Sequence, residues 1–176
     1  MKDIKNLTVR AILAAVLCAF APVAIPSGAV PITLATFIIY IISACTDISF
    51  SVPAVILYIA LGACGVPVFS GFAGGFQIIS GITGGYIIGY LPCAAVISLL
   101  CSRFGSKKAI FPLSMILGTL ICYVVGTVWY ILQTKSSVAA ALSVCILPFL
   151  LGDIIKIASA ACISVTLRPK LGKILK

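Results

Sequence analysis

The sequence predicts an all-α membrane protein, a bundle of six transmembrane helices, and three observations support this fold class. Of its 176 residues, 62% are hydrophobic and 9% are charged, whereas soluble domains carry about 25% charged residues. Long apolar runs recur between short breaks that contain proline, glycine or charge. The basic residues lie at the ends of these runs. We therefore expect a lipid bilayer as the solvent and a single integral-membrane domain over residues 1–176.

The predicted helices are bounded by helix-capping and helix-breaking residues. Thr8 can cap the first helix, and Pro22 and Pro26 end it. Pro53 suits the first turn of the third helix, and Pro148 breaks a short helix predicted at 136–147. A span needs about 20 residues, so the second and third helices are short. The six predicted ranges are about 8–23, 32–45, 53–64, 83–102, 111–132 and 153–167.

The distribution of Lys and Arg predicts the orientation of the bundle. Six helices place both termini on one side of the membrane. Lys135 lies on the other side and Lys156 within the membrane, while the remaining ten basic residues lie with the termini: Lys2, Lys5, Arg10, Arg103, Lys107, Lys108, Arg168, Lys170, Lys173 and Lys176. Because cytoplasmic loops carry the excess of basic residues, we expect a cell-membrane protein with both termini in the cytoplasm. This orientation accounts for the net charge of +9 without nucleic-acid binding.

Residues 65–89 form an uncharged segment that holds eight of the fifteen glycines. Each glycine inside a helix costs about 1 kcal/mol relative to alanine, so one uninterrupted helix is not expected here. At membrane depth, irregular backbone is tolerated where protein buries it or where it lines a cavity. The segment therefore predicts a glycine-rich loop between helices 3 and 4 that covers a ligand near the outer face. Five aromatic residues are candidates for the cavity walls: Tyr40, Tyr58, Phe69, Phe76 and Tyr86.

Asp153 and Lys156 are the charged residues embedded in an apolar span. Residues at i and i+3 share one face of a helix, and ionisable residues within a membrane are candidates for function. The structural alternatives are an N-cap at Asp153 and a simple ion pair. A carboxylate accepts hydrogen bonds from N–H groups, and an ammonium donates them to carbonyl or carboxylate oxygens. The pair thus predicts a largely apolar ligand that carries a few such polar groups.

Several function classes are disfavoured by what the sequence lacks. There is no histidine and no CxxC pair among the eight cysteines, so we expect neither a metal site nor a cofactor. No nucleophile has a neighbouring base, so we do not expect an enzyme. The GxxxxGK[ST] phosphate loop is also missing. If the function depends on ATP, another subunit must supply it.

Ala11, Ala15 and Ala19 form a stripe of small residues along the first helix. Such a stripe allows another helix to approach closely. It serves either packing within the bundle or docking of a partner subunit, and the sequence leaves both open.

Five stretches of sequence together resemble the BioY family, the biotin-binding S component of energy-coupling factor (ECF) transporters. They are VPITLATF at 30–37, LGACGVPVFSGFAGGF at 61–76, GITGGYIIGY at 81–90, GTLICYVVGTVWY at 118–130 and LPFLLGDIIK at 147–156. The resemblance implies a pocket for biotin near the outer face. It assigns polar contacts with biotin to Asp153 and Lys156. It also implies ligand-binding positions at Gly74, Gly75 and Tyr86, in the glycine-rich loop and at the start of the fourth helix.

The same resemblance implies partner subunits. It makes the stripe that contains Ala11 and Ala15 the docking surface for a membrane-embedded T component, and two cytoplasmic ATPase subunits complete the complex. Ala73 and Ile87 stand where some family members have Asn and Arg. We therefore expect Gln77, Thr83 or backbone N–H groups to contact the carboxylate of the ligand. The alternatives are an S component for a different vitamin and a membrane assembly protein without transport activity.

Overall fold

The computed structural model describes residues 2–25, 30–105 and 107–175, and most of them are helical. The α-helices are α1 (Lys2–Phe20), α2 (Ala35–Cys45), α3 (Ile48–Ala63), α4 (Phe76–Ser80), α5 (Gly84–Phe104), α6 (Ile110–Thr134), α7 (Val138–Cys145) and α8 (Leu147–Leu175). Strands β1 (Ala24–Ile25) and β2 (Ile32–Thr33) form an antiparallel pair. A 3₁₀ turn covers Ser70–Phe72.

Among the described residues, three segments are long and apolar enough to cross a membrane: α5, α6, and α7 with α8 taken together. With a rise of 1.5 Å per residue, α5 is about 30 Å long, which matches the hydrocarbon core of a bilayer. The apolar helices α2 and α3 are shorter. Large apolar side chains face outward, for example Leu132 and Leu151, which are 72% and 77% exposed. The chain is therefore an integral membrane protein, and the count of six spans stays a prediction.

Helix α5 organises the bundle, because it packs against α6, α3 and α2. Glycines allow the close approach of α5 and α6. A Cβ atom added at Gly85 would lie 2.2 Å from Trp129 Cβ, and one at Gly89 would lie 3.2 Å from Cys122 Sγ. Helix α2 contacts both α5 and α8. This arrangement brings α2, α5, α6 and α8 around a common interior.

The third helix starts earlier than predicted, at Ile48, so Pro53 lies inside α3 rather than at its start. A proline within a helix leaves the carbonyl of the residue four positions earlier without its N–H partner. Here that carbonyl belongs to Ser49, and Arg10 Nε on α1 donates to it over 3.0 Å. Packing of α1 against α3 thus compensates for the proline, which the local sequence could not indicate.

The last helix also differs from the prediction, since α8 runs from Leu147 to Leu175 rather than over 153–167. Pro148 lies in its first turn, where N–H groups have no partner inside the helix. The proline therefore begins this helix, and Asp153 lies within it instead of capping it. The first helix likewise covers Lys2–Phe20 rather than 8–23. Pro26, predicted to help end it, lies outside the described residues.

The glycine-rich segment between α3 and α5 folds back on its neighbours. Gly71 N–H donates to Pro22 O after α1 over 2.9 Å, and Gly75 N–H donates to Gly62 O in α3 over 2.7 Å. Gly75 has φ = +106°, a conformation that favours glycine, and it precedes the short helix α4. From α6, Trp129 Nε1 donates to Gly81 O over 2.9 Å. The segment is thus fastened to the ends of α1, α3 and α6.

Candidate functional site

A charged cluster lies inside the bundle where α8, α6 and α2 meet. Lys156 Nζ is 3.2 Å from Asp153 Oδ1 and 3.1 Å from Thr36 Oγ1. Tyr123 Oη donates to Asp153 Oδ2 over 2.5 Å. The side chains of Lys156 and Asp153 are 11% and 9% exposed. We call these four residues the charged cluster.

The helices explain why the cluster forms. Asp153 and Lys156 are separated by three positions on α8, so both point to the same side. That side faces α6, which supplies Tyr123, and α2, which supplies Thr36. An ammonium has three donors, and the described contacts use two of them. The cluster therefore keeps donor capacity for a further acceptor.

A small cavity of about 40 Å³, whose wall is mostly apolar, adjoins the charged cluster. Its volume accommodates one or two groups the size of a water molecule. Its walls carry the four members of the cluster together with hydroxyl, aromatic and small apolar side chains: Val30, Pro31, Thr33, Tyr86, Tyr90, Thr119, Cys122 and Phe149.

A larger cavity of about 190 Å³, which we call the apolar cavity, lies next to the small one. Five residues line both cavities: Val30, Pro31, Thr33, Tyr86 and Tyr90. The rest of its wall comes from the residue that follows α1, from α2, α3 and α5, and from the glycine-rich segment: Ala21, Ala35, Tyr58, Phe69, Ser70, Ala73, Ile78, Thr83 and Ile87. The two cavities together form an elongated site with one charged end and one apolar end.

Tyr86 at the junction of the cavities is held in place by three contacts. Its hydroxyl donates to Cys145 O over 3.1 Å, and its ring stacks on Phe149 with centroids 6.4 Å apart. A Cβ atom added at Gly126 would lie 2.5 Å from the Tyr86 ring, so only glycine leaves room for it. The wall at this point is therefore rigid.

The structure brings together four of the predicted ligand residues. Asp153 and Lys156 lie at the charged end, Tyr86 at the junction, and Thr83 on the apolar cavity. Of the predicted aromatic walls, Tyr58 and Phe69 also line the apolar cavity, and their rings pack edge to face with centroids 5.5 Å apart.

Three predicted ligand residues, Gly74, Gly75 and Gln77, line neither cavity. Gln77 is exposed, and its Nε2 donates to Gly74 O over 3.0 Å. A Cβ atom added at Gly74 would lie 2.5 Å from Val66 O. The glycines thus allow the loop to fold tightly, which positions its neighbours.

Two predicted aromatic walls also lie elsewhere. Phe76 is 68% exposed. Tyr40 is buried behind the site, where its hydroxyl lies 2.6 Å from Thr119 Oγ1.

Tyr123 and Thr36 are the cluster members that the sequence did not identify. The position of Tyr123 along an apolar helix also suits an interfacial aromatic belt, but Tyr123 is 9% exposed and its hydroxyl is bonded to Asp153. The signal was present in α6, where small and polar residues recur at helical spacing on one face: Thr119, Cys122, Tyr123, Gly126 and Thr127. That face is buried against the rest of the bundle.

Comparisons with known proteins identify the family of this chain. The model of the BioY family matches residues 1–173. The biotin transporter BioY of Thermotoga maritima is 35% identical over 164 residues, which cover 93% of this chain and 96% of the relative. The biotin transporter BioY2 of Lactococcus lactis is 32% identical and covers 86% of this chain and 83% of the relative.

A solved structure shares the fold as well. It is the 2.1 Å crystal structure of the S-component for biotin from an ECF-type ABC transporter, and it superposes with a TM-score of 0.87 at 26% sequence identity. The match covers 95% of this chain and 92% of that chain. The family predicted from the five sequence stretches is thereby confirmed, and the chain belongs to the BioY family.

Proposed function

We propose that this protein is the biotin-binding subunit of a vitamin uptake transporter. It captures biotin with high affinity at the outer face of the cell membrane and delivers it inward together with an ATP-driven ECF module. The observation that carries the proposal is the buried Asp153–Lys156 pair at one end of an otherwise apolar cavity. Relatives named biotin transporters, and the S-component for biotin with a similar fold, support the same ligand. In this role the chain is a transport component and not an enzyme.

The chemistry of biotin matches the two ends of the site. Its ureido ring offers two N–H donors and one carbonyl acceptor, while its thioether ring and aliphatic chain are apolar. We assign the N–H donors to Asp153 and the carbonyl to Lys156, which has an unused donor. The aliphatic chain then lies against Tyr86, Tyr58 and Phe69 in the larger cavity.

The carboxylate of biotin falls at the end of the apolar cavity that the glycine-rich segment covers. Ala73 and Ile87 line this end and offer no side-chain donor. We assign the carboxylate to Thr83, which lines the same cavity, and to backbone N–H groups. Gly74 and Gly75 allow the backbone to bend there. Gln77 joins this site if its side chain leaves Gly74 O and turns inward.

The proposed transporter includes a T component and two cytoplasmic ATPase subunits. Ala11 and Ala15 are exposed, whereas Ala14 and Leu17 on another face of α1 are buried in the bundle. The small-residue stripe is therefore accessible to a partner helix, which supports docking of the T component there. We further propose six spans (α1, α2, α3, α5, α6 and α8) in one substrate-binding domain, with both termini in the cytoplasm.

Calorimetric titration of the purified protein with biotin tests the ligand assignment. We expect tight binding in the wild type and a loss of about 10- to 100-fold in Asp153→Asn, since hydrogen bonds to a charged group contribute about 1.5–3 kcal/mol. The matched control is Asp47→Asn, because Asp47 is an exposed carboxylate that lines neither cavity of the site. We expect its affinity to stay within about twofold of wild type.

Other outcomes would change the proposal in defined ways. Equal affinity of wild type and Asp153→Asn would contradict the site. Binding of another vitamin instead of biotin would keep the transport role and change the substrate. Absence of any ligand, together with unchanged stability of Asp153→Leu, would favour a membrane assembly protein.

A further inference from the structure

A pocket separate from the two cavities of the ligand site lies at the opposite end of the helices from the charged cluster. We propose that it binds the phosphate of an anionic phospholipid headgroup. The proposal is independent of biotin binding, since no residue that the structure describes lines both sites.

The pocket forms where the ends of five helices meet, and its volume is about 580 Å³. The C-terminal ends of α2, α5 and α8 surround it together with the N-terminal ends of α3 and α6. The lining combines basic, polar and apolar side chains: Cys45, Thr46, Asp47, Phe50, Cys101, Ser102, Arg103, Gly105, Lys108, Phe111, Val165, Arg168, Pro169 and Gly172. We call it the basic pocket.

Among the described residues, the basic pocket is lined by three cations and one carboxylate. Asp47 is already engaged, because Ser102 Oγ donates to its Oδ1 over 2.8 Å and Arg168 Nη2 lies 3.9 Å from the same atom. Arg168 also donates to Ala44 O through Nη1, which fixes its position. The ion pairs found among the described residues include neither Arg103 nor Lys108. These two side chains are therefore available to an anion.

The chemistry of the free cations fits a phosphate group. The planar guanidinium of Arg matches two phosphate oxygens at once, and Lys supplies a compact positive charge. Arg103 and Lys108 are both exposed, so they can close around a group that enters from outside the bundle.

The position of the basic pocket favours a lipid over a soluble phosphate ester. Arg103 follows Tyr86 by 17 positions on α5, which corresponds to about 25 Å along the helix. The hydrocarbon core of a bilayer is about 30 Å thick, so the pocket lies at the opposite membrane surface from the ligand site. Basic pockets between transmembrane helices are suited to anionic headgroups.

Apolar surface beside the cations suits the acyl chains. Phe50, Phe111 and Val165 form part of the pocket wall. Phe104 and Leu113, which neighbour the pocket in sequence, are 55% and 51% exposed. A phospholipid contacts both the cations and this apolar surface, whereas a soluble phosphate ester contacts only the cations.

Native mass spectrometry of the delipidated protein in detergent tests the proposal. The protein is titrated with phosphatidylglycerol and, separately, with phosphatidylcholine. The pocket variant is Arg103→Gln/Lys108→Gln. The matched control is Lys107→Gln/Lys170→Gln, which removes two exposed charges from the same end of the molecule at positions that do not line the pocket. A monodisperse gel-filtration profile verifies that both variants are folded.

We expect phosphatidylglycerol to bind more tightly than phosphatidylcholine. The affinity for phosphatidylglycerol should fall about tenfold or more in the pocket variant, because each basic residue at the membrane surface strengthens the binding of an anionic lipid. The control variant should change by less than about threefold. Equal losses in the two variants, or equal binding of both lipids by the wild type, would overturn the proposal. Displacement of phosphatidylglycerol by glycerol phosphate at similar concentration would assign the pocket to soluble phosphate esters and overturn the lipid assignment.

Discussion

Two buried polar regions of this bundle differ in what surrounds them. The charged cluster of Asp153, Lys156, Tyr123 and Thr36 lines the small cavity, which shares part of its wall with the apolar cavity. The second region, a serine cluster, consists of Ser43, Ser51 and Ser98, all with no exposed area.

The serine cluster joins three helices by short hydrogen bonds. Ser51 Oγ lies 2.6 Å from Ser98 Oγ, and Ser98 Oγ donates to the backbone carbonyl of Ser43 over 3.0 Å. It lines neither cavity of the ligand site. Burial and hydrogen bonding alone therefore do not mark a binding site.

The difference between the regions lies in charge and space. Neutral hydrogen bonds between transmembrane helices contribute about 0.6 kcal/mol on average, and they stabilise the bundle wherever they occur. Charged side chains are costly at membrane depth, and a small cavity beside them offers room for polar groups of a ligand. We infer that the charged cluster is arranged for recognition and the serine cluster for packing of α2, α3 and α5.

The largest effect on stability and on biotin affinity is expected for Lys156→Ala. The substitution leaves Asp153 as an unpaired buried charge, which lowers the free energy of unfolding by about 3–5 kcal/mol. Biotin affinity should fall at least about 100-fold, because the donor assigned to the ureido carbonyl is lost as well. Thermal unfolding in detergent and biotin titration measure the two effects.

The double variant Asp153→Asn/Lys156→Ala separates the two causes. It removes the unpaired charge, so stability should recover in part while biotin binding stays weak. If affinity recovered together with stability, the cluster would act through folding alone and the recognition role would be refuted.

A smaller effect is expected for Tyr123→Phe, which removes the hydrogen bond to Asp153 Oδ2 and keeps the ring. We expect biotin affinity to fall about tenfold, because a hydrogen bond to a charged group contributes about 1.5–3 kcal/mol and biotin compensates for part of it. The matched control is Tyr40→Phe, which removes the bond to Thr119 without touching Asp153. Titration should show affinity within about threefold of wild type for the control. Similar losses in both variants would argue against a special role of Tyr123.

The parts of the fold that the sequence predicted well depend on strong local signals. Apolar runs identify the regions of the long helices, because few other structures tolerate so many apolar residues in succession. The sequence also identifies the pair Asp153 and Lys156, because charged residues are rare within such apolar runs. Helix boundaries at prolines differ from the prediction, because a proline can end one helix or begin the next. Pro148 begins α8, whereas Pro53 lies inside α3. There Arg10 on α1 donates to the Ser49 carbonyl that the proline leaves without a partner, and this contact is distant in sequence.

The parts of the site that were missed depend on tertiary contacts. Tyr123 lies in the second half of α6, and its sequence position fits both a membrane interface and the interior. Only the packing of α6 against α8 decides between them. Helix α4 spans five residues, which is too short for hydrophobic periodicity to show. Gln77 lies in this helix, donates to Gly74 O and does not line the apolar cavity.

The smallest effect is expected in the serine cluster, with Ser98→Ala. This substitution removes the contacts of Ser98 Oγ with Ser51 and Ser43, and it leaves the Ser51 hydroxyl to find another partner. We expect the free energy of unfolding to fall by about 1 kcal/mol and biotin affinity to stay within about twofold of wild type. Thermal unfolding and titration on the same sample measure both quantities. A large loss of affinity at this distance would mean that the packing of α2 against α5 controls the ligand site, and the two polar regions would then form one functional unit.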